Sequence, residues 1–163
     1  MELVAFPLGS RIPDAAALRA RVETALAPLL AGTQARVAIS LRLADGKVVL
    51  EREAERVQPS ASIIKLPILF TLLEQVAQGH LQLEQRFSLD GLERVGGTGI
   101  LSQLPSVQSL TLAELVRLMI VLSDNLATNA LIELLGFEGV NDWCNRAGLG
   151  QTRLQRRMMD AAA

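Results

Sequence analysis

Two short stretches carry side chains whose types and spacing suit nucleophilic chemistry. In PSASIIKLPILF, residues 59–70, Lys65 follows Ser62 by three positions inside an almost wholly apolar run, and Pro67 follows two positions after the lysine. Proline fits a helix without losing a hydrogen bond only in the first turn, which puts the helix start near residues 62–64. Ser62 then lies at the positive end of the helix, and Lys65 lies one turn on along the same face, where its amine can reach the hydroxyl. A serine hydroxyl is a poor nucleophile until a base takes its proton. A lysine can be that base if desolvation lowers its pKa, and Ile63, Ile64 and Leu66 are apolar neighbours. The second stretch is Ser123-Asp124-Asn125, at a junction between two helical segments. There a hydroxyl and an amide on a rigid turn suit proton relay and the holding of a substrate amide. Taken alone, each stretch also has a plain structural reading: an N-cap serine with a solvated lysine, and a capping turn.

Other candidates carry less. His80, the only histidine, follows the helix-ending Gly79, and a Ser-His-Asp scheme would have to use it. Gly96, Gly97 and Gly99 imitate a phosphate loop, but no Gly-Lys-Ser/Thr follows. Glu51, Glu53 and Glu55 read as a solvated strand exit, and Arg153, Arg156 and Arg157 as an exposed loop. Cys144 beside Trp143 reads as a small core residue, and one cysteine excludes an internal disulfide and a Cys-rich metal site.

The elements that must position these groups follow from pattern. Asp14, after Pro13, caps a helix over AAALRARVETALAPLLA that Gly32 ends, with Pro28 tightening or kinking the last turn. VAISLRL (37–43) and KVVLERE, joined by ADGK, form a hairpin. The remainder reads as helices: 62–78 stopping at Gly79, 109–122 opening on a Thr111/Glu114 capping box, and LATNALIELLG ending at Gly136. A short helix over about 138–146 closes the series. A loop, 90–106, lies between them. Residues 1–56 are expected to hold the helix and hairpin of an α/β part, and residues 57–163 an all-α part. A lone hairpin is marginal in water, so further strands must come from a partner or from more of the chain.

Bulk properties exclude several classes. The chain has 163 residues, half of them hydrophobic, with a net charge of −1. That fits one domain of ordinary size. Scattered basic residues and few aromatics argue against a nucleic-acid interface. No run reaches the length of a membrane span. The N-terminal MELVAFPLGSRIPDAA lacks the pattern of an export signal; as written the expectation is cytoplasmic, or periplasmic or secreted if a signal was removed.

Ser-x-x-Lys followed by Ser-Asp-Asn is the paired signature of penicillin-recognising serine enzymes. The sequence resembles the class A serine β-lactamases and, more closely, their divergent chromosomal relatives. The resemblance spans residues 15–160 and rests on the hairpin, ASIIKLPIL, GGTGIL, LTLAELVRLMIVLSDNLATNALIELLG and GLGQTRLQRRMMD. It implies an α+β fold of the serine β-lactamase/DD-peptidase type, a helical region beside an antiparallel sheet. It implies that Ser62 is acylated by a β-lactam or peptidoglycan-like substrate, without metal or organic cofactor. Lys65 would be the base or part of its relay. Ser123 would pass a proton toward the leaving nitrogen, Asn125 would hold the substrate amide, and the Ser62 N–H would be half the oxyanion hole. The glycine loop is assigned to the active-site rim.

Two departures stand out. Alignment of Leu154-Gln155-Arg156-Arg157 with the family's loop puts Met158 where a glutamate activates water for deacylation, with Asp160 two residues on. The family also continues beyond the position of Ala163, through further strands and a Lys-Thr/Ser-Gly motif. The chain is therefore expected to be the N-terminal portion of such a protein, or to complete its sheet by strand exchange in a homodimer. The alternatives to a β-lactamase are a penicillin-binding or D-amino acyl peptidase or esterase, and a catalytically silent scaffold.

Overall fold

A computed structural model describes residues 14–160. The N-terminal stretch through Pro13 and the closing Ala161–Ala163 lie outside the described residues. The chain divides into two compact units, one up to Gln58 and one from Pro59 on.

The first unit begins with α1, Ala15–Ala31. Asp14 caps it, its carboxylate accepting the Ala17 N–H at 2.8 Å. Pro28 sits in the last turn, and the N–H of Gly32, the C-terminal cap, donates to the Pro28 carbonyl. Strands β1 (Ile39–Arg42) and β2 (Val48–Arg52) pair antiparallel, with Leu41 opposite Leu50 and a bulge between Leu41 and Arg42. Gly46 turns the hairpin at φ +86°, a conformation that costs glycine little, and the Asp45 carboxylate accepts the Lys47 N–H. Both strands are shorter than the alternating pattern implies, since the ladder runs only from the Ile39–Arg52 pair to the Arg42–Val48 pair.

The second unit carries most of the core. Ser62 lies in a 3-10 turn, Ala61–Ile64, that leads into α2, Lys65–Ala77. The α-helix thus starts three residues later than the sequence pattern indicates; Ala61, at φ +45°, and the tight turn precede it, and Pro67 falls in its first turn. Gly79, at φ +76°, ends it, with the His80 N–H donating to the Gln75 carbonyl and Leu81 packing on the core. His80 is exposed.

The expectation of an all-helical region from residue 57 on needs correction. Strand β3 (Arg86–Ser88) pairs antiparallel with β4 (Ser109–Thr111), Phe87 opposite Leu110. Three residues per strand are too few to show alternation, and Ser109–Thr111 precedes a helix start so closely that it reads as part of it. The helix α3, Leu112–Val121, opens on the capping box anticipated for it: the Thr111 hydroxyl accepts the Glu114 N–H at 3.2 Å, and the Glu114 carboxylate accepts the Thr111 N–H at 2.7 Å. Finally α4, Asn125–Arg146, runs through a break at Gly136, whose φ of +71° separates the two helical stretches expected there.

Ile68 and Leu72 of α2, Leu115 and Met119 of α3, and Leu131 and Val140 of α4 are fully buried and form the centre of one hydrophobic core. Each such side chain contributes roughly 1.5–3 kcal/mol by leaving water. Cys144 is buried as a small core residue. The loop between β3 and β4 is pinned by Arg94, whose guanidinium donates to the carbonyls of Leu101, Leu104, Pro105 and Val107 at 3.0–3.4 Å. Among the described residues, no helix is long and apolar enough to cross a membrane, and no cluster of His, Cys, Asp and Glu is fit to hold a metal ion.

Candidate active site

Four side chains singled out by spacing meet in the second unit. The 3-10 turn brings Ser62 to the N-terminal end of α2, and the α3–α4 junction brings Ser123 and Asn125 against it. Lys65 is 3% exposed, and Ser62 stays open to solvent. The Ser62 Oγ lies 2.9 Å from the Ser123 Oγ. Lys65 Nζ donates to the Ser123 Oγ at 2.8 Å, to the Ser123 carbonyl at 2.7 Å and to the Asn125 Oδ1 at 3.2 Å.

This differs from the direct Ser62–Lys65 contact that a one-turn spacing implies. The two are linked through Ser123, whose hydroxyl touches both. The reason is geometric: three acceptors on the 123–125 turn use all three N–H directions of the ammonium. Burial pushes the Lys65 pKa down, and the nearby Asp124 carboxylate opposes that shift.

Asn125 is 7% exposed and is engaged at both ends of its amide, Oδ1 with Lys65 and Nδ2 donating to the Gly96 carbonyl at 3.1 Å. The amide nitrogen carries two hydrogens, so one further donor is left for a ligand.

Asp124 has a structural part that the capping-turn reading captured only in outline. It is 1% exposed. Its Oδ1 accepts the Ala127 N–H at 3.0 Å, which caps α4. Its Oδ2 accepts the N–H groups of Ile100 and Leu101 at 2.7 and 2.8 Å, which ties the glycine loop to the helix junction. That loop requires its glycines. Gly97 is at φ +86° and Gly99 at φ +109°, in the left-handed half of conformational space. A Cβ on Gly97 would lie 2.5 Å from the Asn125 amide nitrogen, and one on Gly99 would overlap the Asp124 carboxylate. Gly99→Ala is therefore expected to destabilise the protein by about 2 kcal/mol or more, from backbone strain and overpacking together, measurable as a lower urea midpoint with unchanged slope.

Met158 packs its side chain against the core and is also held by its backbone. Its N–H donates to the Asn129 Oδ1 at 2.7 Å and its carbonyl accepts from the Asn129 Nδ2 at 3.3 Å. Asn141 grips Leu154 in the same two-bonded way, at 2.8 and 3.1 Å. Both asparagines escaped the sequence reading, since an asparagine inside a helix carries no signal of a distant backbone partner. Arg157 pairs with Glu133, and Arg156 donates to the Asp160 carbonyl.

Comparison with known proteins relates the chain to a family and a fold. Residues 21–163 match the profile of the β-lactamase enzyme family. Among curated proteins, β-lactamase VEB-1 of Pseudomonas aeruginosa is 24% identical over 110 residues, which cover 66% of this chain and 37% of that one. Among solved structures, a β-lactamase from Sphaerobacter thermophilus is 30% identical with a TM-score of 0.73, over 83% of this chain and 52% of that chain. The structure of PBP-A is 26% identical with a TM-score of 0.75, over 86% of this chain and 54% of that chain. The chain spans about half the length of these solved relatives. The mixed α+β fold is that of the serine β-lactamases. With a match to the family profile over most of its length, and with this fold, the chain belongs to the β-lactamase enzyme family.

Proposed function

We propose that Ser62 is a nucleophile acylated by β-lactams or by peptidoglycan-like D-amino acyl compounds. The observation that carries this reading is the Ser123 hydroxyl in simultaneous contact with the Ser62 Oγ at 2.9 Å and the Lys65 Nζ at 2.8 Å. When Lys65 is neutral, the Ser62 proton passes to it through Ser123 as the Ser62 oxygen attacks the carbonyl carbon. The C–N bond of the lactam then breaks, and the proton returns through Ser123 to the leaving nitrogen. Ser62 lies at the N-terminal end of α2, where its N–H can stabilise the developing oxyanion. Asn125 offers its remaining amide hydrogen to the substrate's side-chain amide. A variant of PBP-A has been captured as an acyl-enzyme complex with penicillin G, which supports the same step here.

Release of the acyl group is a separate matter. With Met158 at the position expected for a water-activating carboxylate, a thioether cannot take a proton from water. This favours an acyl-enzyme that persists, the behaviour of a penicillin-binding protein more than of a β-lactamase with rapid turnover. Mixing the chain with penicillin G is expected to give one adduct per chain that decays far more slowly than it forms.

The rate of adduct formation carries the pH test. Because burial lowers the Lys65 pKa, the neutral base is more abundant at any given pH than for an ordinary lysine. Acylation should therefore rise with pH through a midpoint below the usual ~10.4. A flat profile, or a midpoint at the ordinary lysine value, would remove Lys65 from the role of base; absence of any adduct would leave a silent scaffold as the reading.

A further inference from the structure

Ser123 has the pivotal position in the hydrogen-bonded chain, and its backbone is in an uncommon state. Its φ is +52°, in the left-handed region that a non-glycine residue occupies only when its surroundings hold it there. Beside the bonds from Lys65 and the bond from the Asp124 N–H to the Leu118 carbonyl, one residue of the glycine loop holds the turn at two points. The Thr98 Oγ1 donates to the Ser123 carbonyl at 2.8 Å. The Thr98 carbonyl accepts the Asn125 N–H at 3.1 Å. Thr98 thus brackets the turn from both sides, with its side chain on residue 123 and its main chain on residue 125. Gly97 and Gly99, both at positive φ, flank it and allow the loop to approach so closely.

We propose that Thr98 is a positioning residue, whose hydroxyl fixes the Ser123 carbonyl and so keeps the Ser123 Oγ between Ser62 and Lys65. The Ser123 carbonyl has two lone pairs, and Thr98 and Lys65 occupy them together. The N–H of that peptide donates to the Leu118 carbonyl at 3.1 Å, but without the Thr98 hydroxyl its carbonyl is anchored only by Lys65, whose hold weakens whenever the amine is neutral, which is the state needed for proton abstraction. Thr98 is thus the neutral anchor that keeps the turn in place at the moment of reaction. The catalytic consequence rests on the acylation of Ser62 proposed above; the conformational part does not.

The test compares Thr98→Val, which keeps the shape and removes the hydroxyl, with Thr98→Ser, which restores it. Two readouts are needed: the Ser123 backbone conformation from NMR couplings and shifts, and the rate of penicillin G adduct formation by intact-protein mass. In T98V, Ser123 is expected to leave the left-handed region and the rate to fall about 10- to 100-fold, the scale of a misplaced catalytic group. The penicillin concentration giving half the maximal rate is expected to change little, and T98S should match the parent chain in both readouts. A T98V protein that keeps the Ser123 conformation and the parent rate overturns the proposal, as does a T98S protein as impaired as T98V. If the parent chain takes up no penicillin, the acylation reading fails, and the NMR comparison alone decides whether Thr98 holds the turn. Should T98V fail to fold, Thr98→Ala, which adds no bulk, replaces it under the same criteria.

Discussion

Lys65→Met is expected to slow acylation of Ser62 by about 10²- to 10⁴-fold, the range that a positioned general base contributes. Methionine matches the length and apolar character of the lysine stem and fits a site that is 3% exposed. The hydrogen-bond consequences are confined. Ser123 keeps Thr98 on its carbonyl and Ser62 on its hydroxyl, while the Asn125 Oδ1 loses its donor. One stranded acceptor costs about 1–3 kcal/mol. Removing a buried amine also removes its desolvation cost, which offsets part of that. The variant should therefore melt close to the parent, and its loss of rate reports chemistry. Lys65→Arg separates base from charge. An arginine keeps the positive charge but holds its proton at any accessible pH. It should be as slow as the methionine variant if Lys65 is the base, and faster if only the charge matters. Adduct formation followed by intact-protein mass, beside thermal melts of both variants, provides the check.

The second large effect concerns stability. Asp124→Asn should lower it by about 3–5 kcal/mol, because hydrogen bonds to a buried charge are the strong ones and a stranded donor carries a full desolvation penalty. The carboxylate accepts from Ala127 with one oxygen and from Ile100 and Leu101 with the other. An asparagine caps a helix as well as an aspartate does. It can satisfy only one side at a time, however, since its NH₂ must face either the α4 cap or the two loop amides. For a chain of this size that loss corresponds to a drop in melting temperature of roughly 10 °C. A drop of only a degree or two would show that Thr98, the Asn125–Gly96 bond and Arg94 hold the loop without the carboxylate. The same substitution removes the charge that opposes the downward shift of the Lys65 pKa. Protein that remains folded should therefore acylate with a still lower pH midpoint.

What could be read from the sequence was local. Ser62 and Lys65 share one helical turn, Pro67 marks where that turn begins, and Ser123-Asp124-Asn125 is contiguous. Each needs only short-range geometry to be noticed. The capping box at Thr111 and Glu114 and the helix-ending Gly79 were legible for the same reason. The relation between the stretches was not. That Ser123 stands between Ser62 and Lys65 depends on how the α3–α4 junction packs against α2, and no periodicity encodes that. The same holds for Thr98, for the four carbonyls gathered by Arg94, and for the backbone grips of Asn129 and Asn141. All are contacts from a side chain to a distant segment, and polar residues in loops and helices look alike in sequence whether solvated or engaged. The β3–β4 ladder went unseen because pairing of three-residue strands is decided by their neighbours and not by their own composition.

The most direct measurement is peptide mapping of the chain after exposure to penicillin G. The expected result is a mass increase equal to the whole drug, on the peptide containing Ser62, in the parent protein, and its loss in Ser62→Ala with the fold retained. An unmodified Ser62 peptide in folded parent protein, or an adduct that survives in Ser62→Ala, would contradict the assignment of this hydroxyl as the nucleophile.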